Sequence, residues 1–386
     1  MTEWIECTLD KLGEIVGGAT PSTKCEDYYG GSIPWITPKD LSSFKGRYIT
    51  SGERNITEKG LASCSAQMMP KDAVLFTSRA PIGYVAIASQ SVCTNQGFKS
   101  IVVNEKADPL FVYYLLKYNK DAIEAMGSGT TFKEVSGKTM RAVKVRIPVD
   151  VSYQKRIAAV LDSLDTKIEN NERINDNLLA QAQTLYKQFF PYGVQDDLPD
   201  GWRIGTVGEI IEIHDSKRIP LSGADRSKME KKSYPYYGAA SLMDLVDNYI
   251  FDGKYLLLGE DGTVVDDAGY PILQYVWGQF WVNNHAHILT GRLGYDVESL
   301  YMLFKQTPVK SIVTGAVQPK ISQANLRSVQ VVIPPEHNLR EYNDLVEPLF
   351  SLFRANEEEC KTFTALRDTL LPKLMSGEID VSAVQL

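Results

Sequence analysis

The chain has 386 residues, of which 44% are hydrophobic and 23% charged, with a net charge of −7. That length exceeds one ordinary core and predicts two domains with connecting elements. No apolar run reaches the roughly 18 residues of a membrane span, and five scattered cysteines exclude a disulfide framework and a zinc knuckle.

The acidity is uneven. Residues 1–150 carry 18 basic and 16 acidic side chains, whereas residues 336–386 carry 5 and 10, so a positive groove outside the C-terminal region is compatible with the total. The opening "MTEWIECTLDKLGE" lacks the basic start and apolar core of a secretory signal, which predicts a cytoplasmic protein. "GGATPSTK" (17–24) has a Pro and no Gly before its Lys, and reads as a loop. After "SIPWITPKDL" (32–41), the segments "DAVLFTS" (72–78) and "GYVAIAS" (83–89) predict strands. "YYLLK" (113–117) and "GTTFKEVSGKTMRAVKVRIP" (129–148) follow.

Next comes a long helical pattern. Ile157, Leu161, Leu164, Ile168, Asn171, Asn175, Leu178, Ala182, Leu185 and Phe189 alternate steps of four and three, the seam of a heptad repeat. At about 1.5 Å per residue the stretch from Ile157 to Phe189 spans roughly 50 Å, or one and a half turns of B-DNA. In the second half, "KYLLLGEDG" (254–262) and "QYVWGQFWVNNHAHILTG" (274–291) predict strands. The seam then returns at Tyr342, Val346, Leu349, Phe353, Asn356, Cys360, Phe363, Arg367, Leu370 and Leu374. Pro348 and Pro372 predict that this second helix begins properly only near Pro348 and bends or stops at Pro372.

The halves repeat each other. "SIPWITPKDL" is echoed by "SYPYYGAASL" (233–242), and "YYLLK" by "LYMLFK" (300–305). "GTTFKEVSGKTMRAVKVRIP" aligns without a gap on "GAVQPKISQANLRSVQVVIP" (315–334). Trp4 and Trp202 open the two copies, each followed by Gly-Glu-Ile. The expected fold class is mixed α/β (α+β): two pseudo-repeated globular domains, each followed by a long helix, the two helices pairing as an antiparallel coiled coil. The expected boundaries are 1–150, 151–190, 191–335 and 336–386. A buried Asn in each seam, Asn171 matching Asn356, would fix register.

No catalyst is apparent. "SGKTM" (136–140) ends like a phosphate loop, but Phe132 stands where its first glycine belongs, and its twin in the second copy is "SQANL". A capped turn is the simpler reading. The motifs of adenine and cytosine methyltransferases are missing, and "IPPEH" (333–337) has Ile where an amide or carboxylate is needed. His285 and His287 would share a strand face but lack further ligands at a workable spacing, so no metal is expected. The pair Glu260-Asp261 reads as a solvated turn, and nothing supplies a nucleophile with a base and an orienting group.

Taken together, the junction "GTTFKEVSGKTMRAVKVRIPVDVSYQKRIAAVLDSLDTKIENN", with "TSRAPIG" (77–83), "TNQGF" (94–98) and "LRDTLLPKLMSGEI" (366–379), resembles the DNA-specificity subunits of type I restriction-modification systems. The resemblance spans nearly the whole chain. It implies two target-recognition domains, 1–150 and 191–335, with spacer helices at 151–190 and 336–386. These would read a bipartite double-stranded DNA target around an unread spacer. It further implies a subunit without chemistry of its own. Two modification subunits carrying S-adenosylmethionine would dock on it, and restriction motor subunits using ATP and Mg would join them. The second copy departs from the pattern: "TGAVQPKIS", "VNNHAH" and "GEDGT" replace the T-F-K, N-Q-G-F and S-R-A-P-I-G elements, so its half-site should differ. The alternatives are a specificity module of a differently organised restriction system, a nucleotide hydrolase through "SGKTM", and a structural protein whose helices pair only for assembly and whose heads bind something other than DNA.

Side chains suited to DNA are Arg, Lys, Ser, Thr and aromatic residues on protruding loops. In the first domain these are Thr37, Lys39, Lys45, Arg47, Tyr48, Ser78, Arg79, Thr131, Phe132 and Lys133. In the second they are Lys217, Arg218, Arg226, Lys228, Lys231, Lys232, Tyr236 and Lys320, with Tyr234 and Tyr237 interleaved.

Overall fold

The computed structural model describes residues 3–129, 133–315 and 317–385. It divides into two compact units. One contains the chain up to Arg173 together with everything from Glu357 onward; the other is Ile174–Asn356.

In the first unit a five-stranded sheet runs in the order Gly13–Gly17, Lys99–Val103, Val74–Ser78, Ile82–Ala88, Tyr48–Ile49. Beside it, Tyr29–Ile36 lies between Arg54–Ile56 and Cys93–Thr94. The expected strands at 72–78 and 83–89 are therefore the middle of a sheet, and Val74, Leu75 and Phe76 are buried on both faces. The helix Pro109–Tyr118, N-capped by Asp108, covers one face with Phe111, Tyr114 and Leu115. A separate antiparallel ribbon of Trp4–Thr8 with Lys144–Pro148 closes the domain.

The second unit has the same parts. One four-stranded sheet is ordered Ile211–Ile213, Ala286–Gly291, Tyr255–Gly259, Leu273–Val276, and a second Leu242–Val246, Tyr234–Tyr237, Gln279–Val282, Phe251–Asp252. The run 274–291 is thus three strands. Gly278, at φ +77, turns the chain out of one sheet and into the other. The ribbon Arg203–Thr206 with Gln330–Ile333 matches the closing ribbon of the first unit.

Two long helices, Val151–Phe189 and Glu336–Ser376, each contribute to both units. Within each unit their segments run antiparallel. In the first, Asp165 meets Arg367 and Asn171 meets Glu359; in the second, Asn175 meets Asn356 and Ala182 meets Tyr342. The register lock differs from the expected one. Asn356 Nδ2 donates to Asn175 Oδ1 at 2.8 Å with both side chains buried, whereas Asn171, half-buried, reaches Glu359. Leu161, Leu164 and Leu178 are buried in the pair, Ile157 joins the first domain's core, and Ile168, Leu185, Leu349, Phe353, Phe363 and Leu370 are half-buried.

The prolines do not act as expected: the second helix begins at Glu336 and passes through Pro348 and Pro372. Both prolines are on the exposed face, and the carbonyls they leave without an intrahelical donor belong to exposed Asp344 and Asp368, which are open to solvent. No helix among the described residues is long and apolar enough to cross a membrane.

Each long helix is tied to its own domain by buried polar groups. In the first unit Gln154 is fully buried: its amide donates to Pro148 O (2.9 Å) and Lys106 O (3.1 Å), and its oxygen accepts from Asp108 N (2.9 Å). Buried Asp165 accepts from Tyr114 Oη (2.7 Å) and Arg367 (2.7 Å). In the second unit Glu298, 0% exposed, is held by Lys254 (2.6 Å), Arg354 (3.1 Å) and Tyr275 Oη (2.6 Å), and Arg354 and Lys254 both reach Glu347.

Candidate nucleic-acid interface

The joint between domain and helix positions the loops of interest. "SGKTM" forms the first turn of the six-residue helix Gly137–Ala142, with Ser136 Oγ accepting from Thr139 N at 3.0 Å. Its twin Gln323–Ser328 is capped identically by Ser322 from Asn325 N at 3.1 Å. The Gly-Lys-Thr is a capped helix start and not a phosphate cradle.

Just ahead of these helices the two units use the same backbone with opposite charge. In the first, Val135 N–H donates to Ser78 O (2.9 Å), and Arg79 bridges Glu134, its guanidinium 3.6 Å from the carboxylate; Lys99 lies 3.6 Å from the same group. In the second, Ile321 N–H donates to Glu260 O (2.8 Å), Asp261 bridges Lys320, and Lys320 Nζ sits 3.2 Å from Glu260. Glu134 and Lys320 are repeat partners. Ala80 at φ +49 and Gly262 at φ +84 hold the same left-handed position after the turn. The turn thus carries an arginine in one unit and, in the other, two mostly buried carboxylates held by Arg218, Lys320 and His285.

Several expected DNA contacts point inward instead. Arg47 is 7% exposed, with its guanidinium on Asp162 (3.1 Å), Glu169 (3.2 Å) and Thr166 (2.9 Å), so it anchors the first domain to its helix. Ser78 is buried and donates to Gly97 O, and Thr37 caps Pro38–Ser42 in a capping box with Asp40. Arg218 is held by Glu260 (2.6 Å), Asp215 (3.3 Å) and Ala286 O (2.8 Å). Tyr236 is buried under the Arg226 guanidinium, 4.9 Å from its ring centre. Arg226 and Lys232 both reach Asp244; Lys320, by contrast, is exposed but shared with Glu260. The sequence of a loop does not reveal which of its cations find carboxylates folded against them, and Arg47, Arg218, Arg226 and Lys232 each do.

The remaining candidates do face solvent. Tyr48, Lys133, Lys217, Lys228 and Lys231 are exposed, and these four lysines have no ion pair among the described residues. Lys39 and Lys45 are exposed but shared with Glu53 and Glu172. Arg79 is half-buried. Thr131 and Phe132 lie outside the described residues.

Sequence reasoning placed no metal here, yet Asp215, Glu260 and His287 bring ligand atoms within 4.8 Å of one another. The surrounding groups do not suit a cation. Arg218 and Lys320 already neutralise the carboxylates. His287 Nδ1 is 2.6 Å from Asp215 Oδ2 and its Nε2 is 2.8 Å from Ile321 O, so both ring nitrogens face acceptors and neither lone pair is free for a metal. Burial alone would raise the Asp215 carboxyl. The hydrogen bonds from His287 and Ile288 N, with the charges of His287 and Arg218, outweigh it and hold the group below its ordinary range. His285, half-buried, pairs separately with Asp261 at 2.6 Å.

Comparison with known proteins locates this architecture. Residues 1–180 and 199–359 each match the type I restriction modification DNA specificity domain. The type I restriction enzyme MjaIX specificity subunit of Methanocaldococcus jannaschii is 30% identical, over 98% of this chain and 94% of that protein. The EcoR124I/EcoR124II specificity subunit of Escherichia coli is 28% identical over 48% of this chain and 46% of its own length. Among solved structures, an S subunit of a type I restriction-modification system from M. genitalium superposes with a TM-score of 0.61 at 18% identity, covering 97% of this chain and 96% of that one; this likeness concerns the fold.

Proposed function

The chain belongs to the type I restriction-modification DNA specificity family, and from that premise we propose that it is the sequence-reading, non-catalytic subunit of such a complex. Its two domains read the halves of a bipartite DNA target separated by base pairs that are not read. Two modification subunits with adenine methyltransferase activity, supplying S-adenosylmethionine chemistry, dock on it, and restriction subunits using ATP and Mg complete the assembly in the cytoplasm. The observation that carries this reading is the pair of domains built on one plan but carrying opposite charge at the same turn. One framework with different tips is what reading two dissimilar half-sites requires. Lys133, Lys217, Lys228 and Lys231, with Arg79, are its phosphate-facing cations.

Co-expression with the adjacent methyltransferase, followed by mapping of methylated adenines, tests the proposal. A gapped two-part motif is expected. A chain that associates with no methyltransferase, or a complex that methylates an ungapped motif, overturns it.

A further inference from the structure

We infer that the hairpin Tyr234–Tyr237/Leu242–Val246 of the second unit enters the major groove and reads thymine methyl groups with Leu242 and Met243. This rests on the reading of the chain as a DNA-reading subunit and adds how the second domain does it.

The first observation is a repeat that folds in two ways. In "SIPWITPKDL" the Thr37–Asp40 capping box and Pro38 start a short helix, and Leu41 is 5% exposed in the core. In "SYPYYGAASL" the matching positions are Gly238, Ala239 and Ser241, with no proline and no acid to close a box. A tight turn forms instead, Gly238 N–H donating to Ser241 O at 2.9 Å. The repeat-matched Leu242 then opens an edge strand and is 53% exposed, with Met243 and Leu245 exposed after it. Large apolar groups on a free edge strand are a liability unless something covers them.

The surroundings identify what does. Asp244 of this strand accepts from Arg226 (3.1 Å) and Lys232 (3.3 Å). Asp247 accepts the backbone N–H groups of Glu230 (3.1 Å) and Lys232 (2.7 Å). These bonds fasten the segment bearing exposed Lys228 and Lys231 to the apolar strand. Lysine is depleted from protein–protein interfaces, whereas apolar side chains beside phosphate-binding cations suit DNA. The turn that presents Arg79 in the first unit carries Glu260 and Asp261 here, held by Arg218, Lys320 and His285, so it has no counterpart of Arg79 and another element meets the polyanion. A two-stranded ribbon fits a major groove, its Gly-Ala-Ala-Ser tip is narrow, and the thymine C5-methyl is the apolar mark on a base edge.

The test uses the full chain in complex with its methyltransferase and a duplex carrying the methylation-mapped target. Thymines of the second half-site are replaced one at a time by deoxyuridine, which removes only the methyl group. At least one replacement is expected to weaken binding about fourfold, the worth of one buried methyl. Leu242→Ser with Met243→Ser should bind more weakly, lose the distinction between thymine and deoxyuridine, and keep the wild-type salt dependence, because apolar contacts release no counterions. Lys228→Ala and Lys231→Ala should each lower the salt slope by about one and keep the distinction. Wild-type indifference to deoxyuridine, a second half-site without thymine, or serine variants that still discriminate overturn the inference. So do serine variants that lose the methyltransferase while their DNA discrimination persists, since the strip then docks protein. A wild-type complex that binds no specific DNA refutes the proposed function itself, a distinct result.

Discussion

Replacing Arg47 with Met separates an anchoring role from a DNA contact. The guanidinium is buried against Asp162, Glu169 and Thr166, within 4.0 Å of Asp165 as well. Breaking a buried ion pair costs roughly 3–5 kcal/mol when the remaining charge is fully enclosed. Here Asp162 and Glu169 are each about a third exposed, and Asp165 keeps Arg367 and Tyr114. The loss should therefore be about 2 kcal/mol, near the lower range for a charged hydrogen bond. A chain of two units does not unfold in one step, so the readout is hydrogen exchange of the helix Pro109–Tyr118, which should accelerate about thirtyfold. The effect has a pH signature. Burial pushes the Asp162 and Glu169 carboxyls up and Arg47 pulls them back, so its removal raises them further. A carboxyl raised in the folded state takes up protons on folding, and its penalty fades as pH falls toward the ordinary carboxylate range near 4. The gap between variant and wild type must narrow in acid. Unchanged exchange, with weaker DNA binding and a reduced salt slope, would refute the anchoring argument and return Arg47 to the DNA contacts.

Three further outcomes follow from the geometry. Arg79→Ala should weaken binding of a duplex carrying the first half-site and lower its salt slope by about one; an unchanged salt titration contradicts the assignment. Replacing Asn175 and Asn356 together with Leu should raise the calorimetric melting point by removing a buried polar pair while permitting alternative helix registers, and a lower melting point would show that the pair stabilises outright. Chelator treatment or added zinc should leave the melting point unmoved, because Arg218, Lys320 and two acceptors already satisfy Asp215, Glu260 and His287; a metal-dependent rise contradicts that account.

The repeat made the plan of the fold readable before any coordinates, because Gly129 on Gly315 and Pro148 on Pro334 fix where each domain meets its helix. The heptad spacing likewise located both helices. What sequence could not supply was pairing across distance. Arg47 looked like a loop cation because Asp162 and Glu169 lie more than a hundred residues away and meet it only when the helix packs against the sheet. Asn171 aligned with Asn356 by repeat, but antiparallel packing set Asn175 opposite it. Pro348 carried a real local preference that an exposed position made cheap to override. The charge reversal was visible as Glu134 against Lys320, yet its meaning depended on which turn each one touches.

The first unit is assembled from two distant stretches, with residues 174–356 lying between them in sequence. At about 5–20 residues per second the intervening unit takes on the order of ten to forty seconds to make, and Arg367 and Leu374 are added only after it. Until then Asp165 lacks its arginine, and the core around Leu161 lacks the apolar groups that Leu374 and Met375 supply. The part translated first is thus the part finished last. A nascent chain stalled before Glu357 would hold a completed second domain beside an unfinished first one, with a buried carboxylate and an open apolar seam for chaperones or proteases to find.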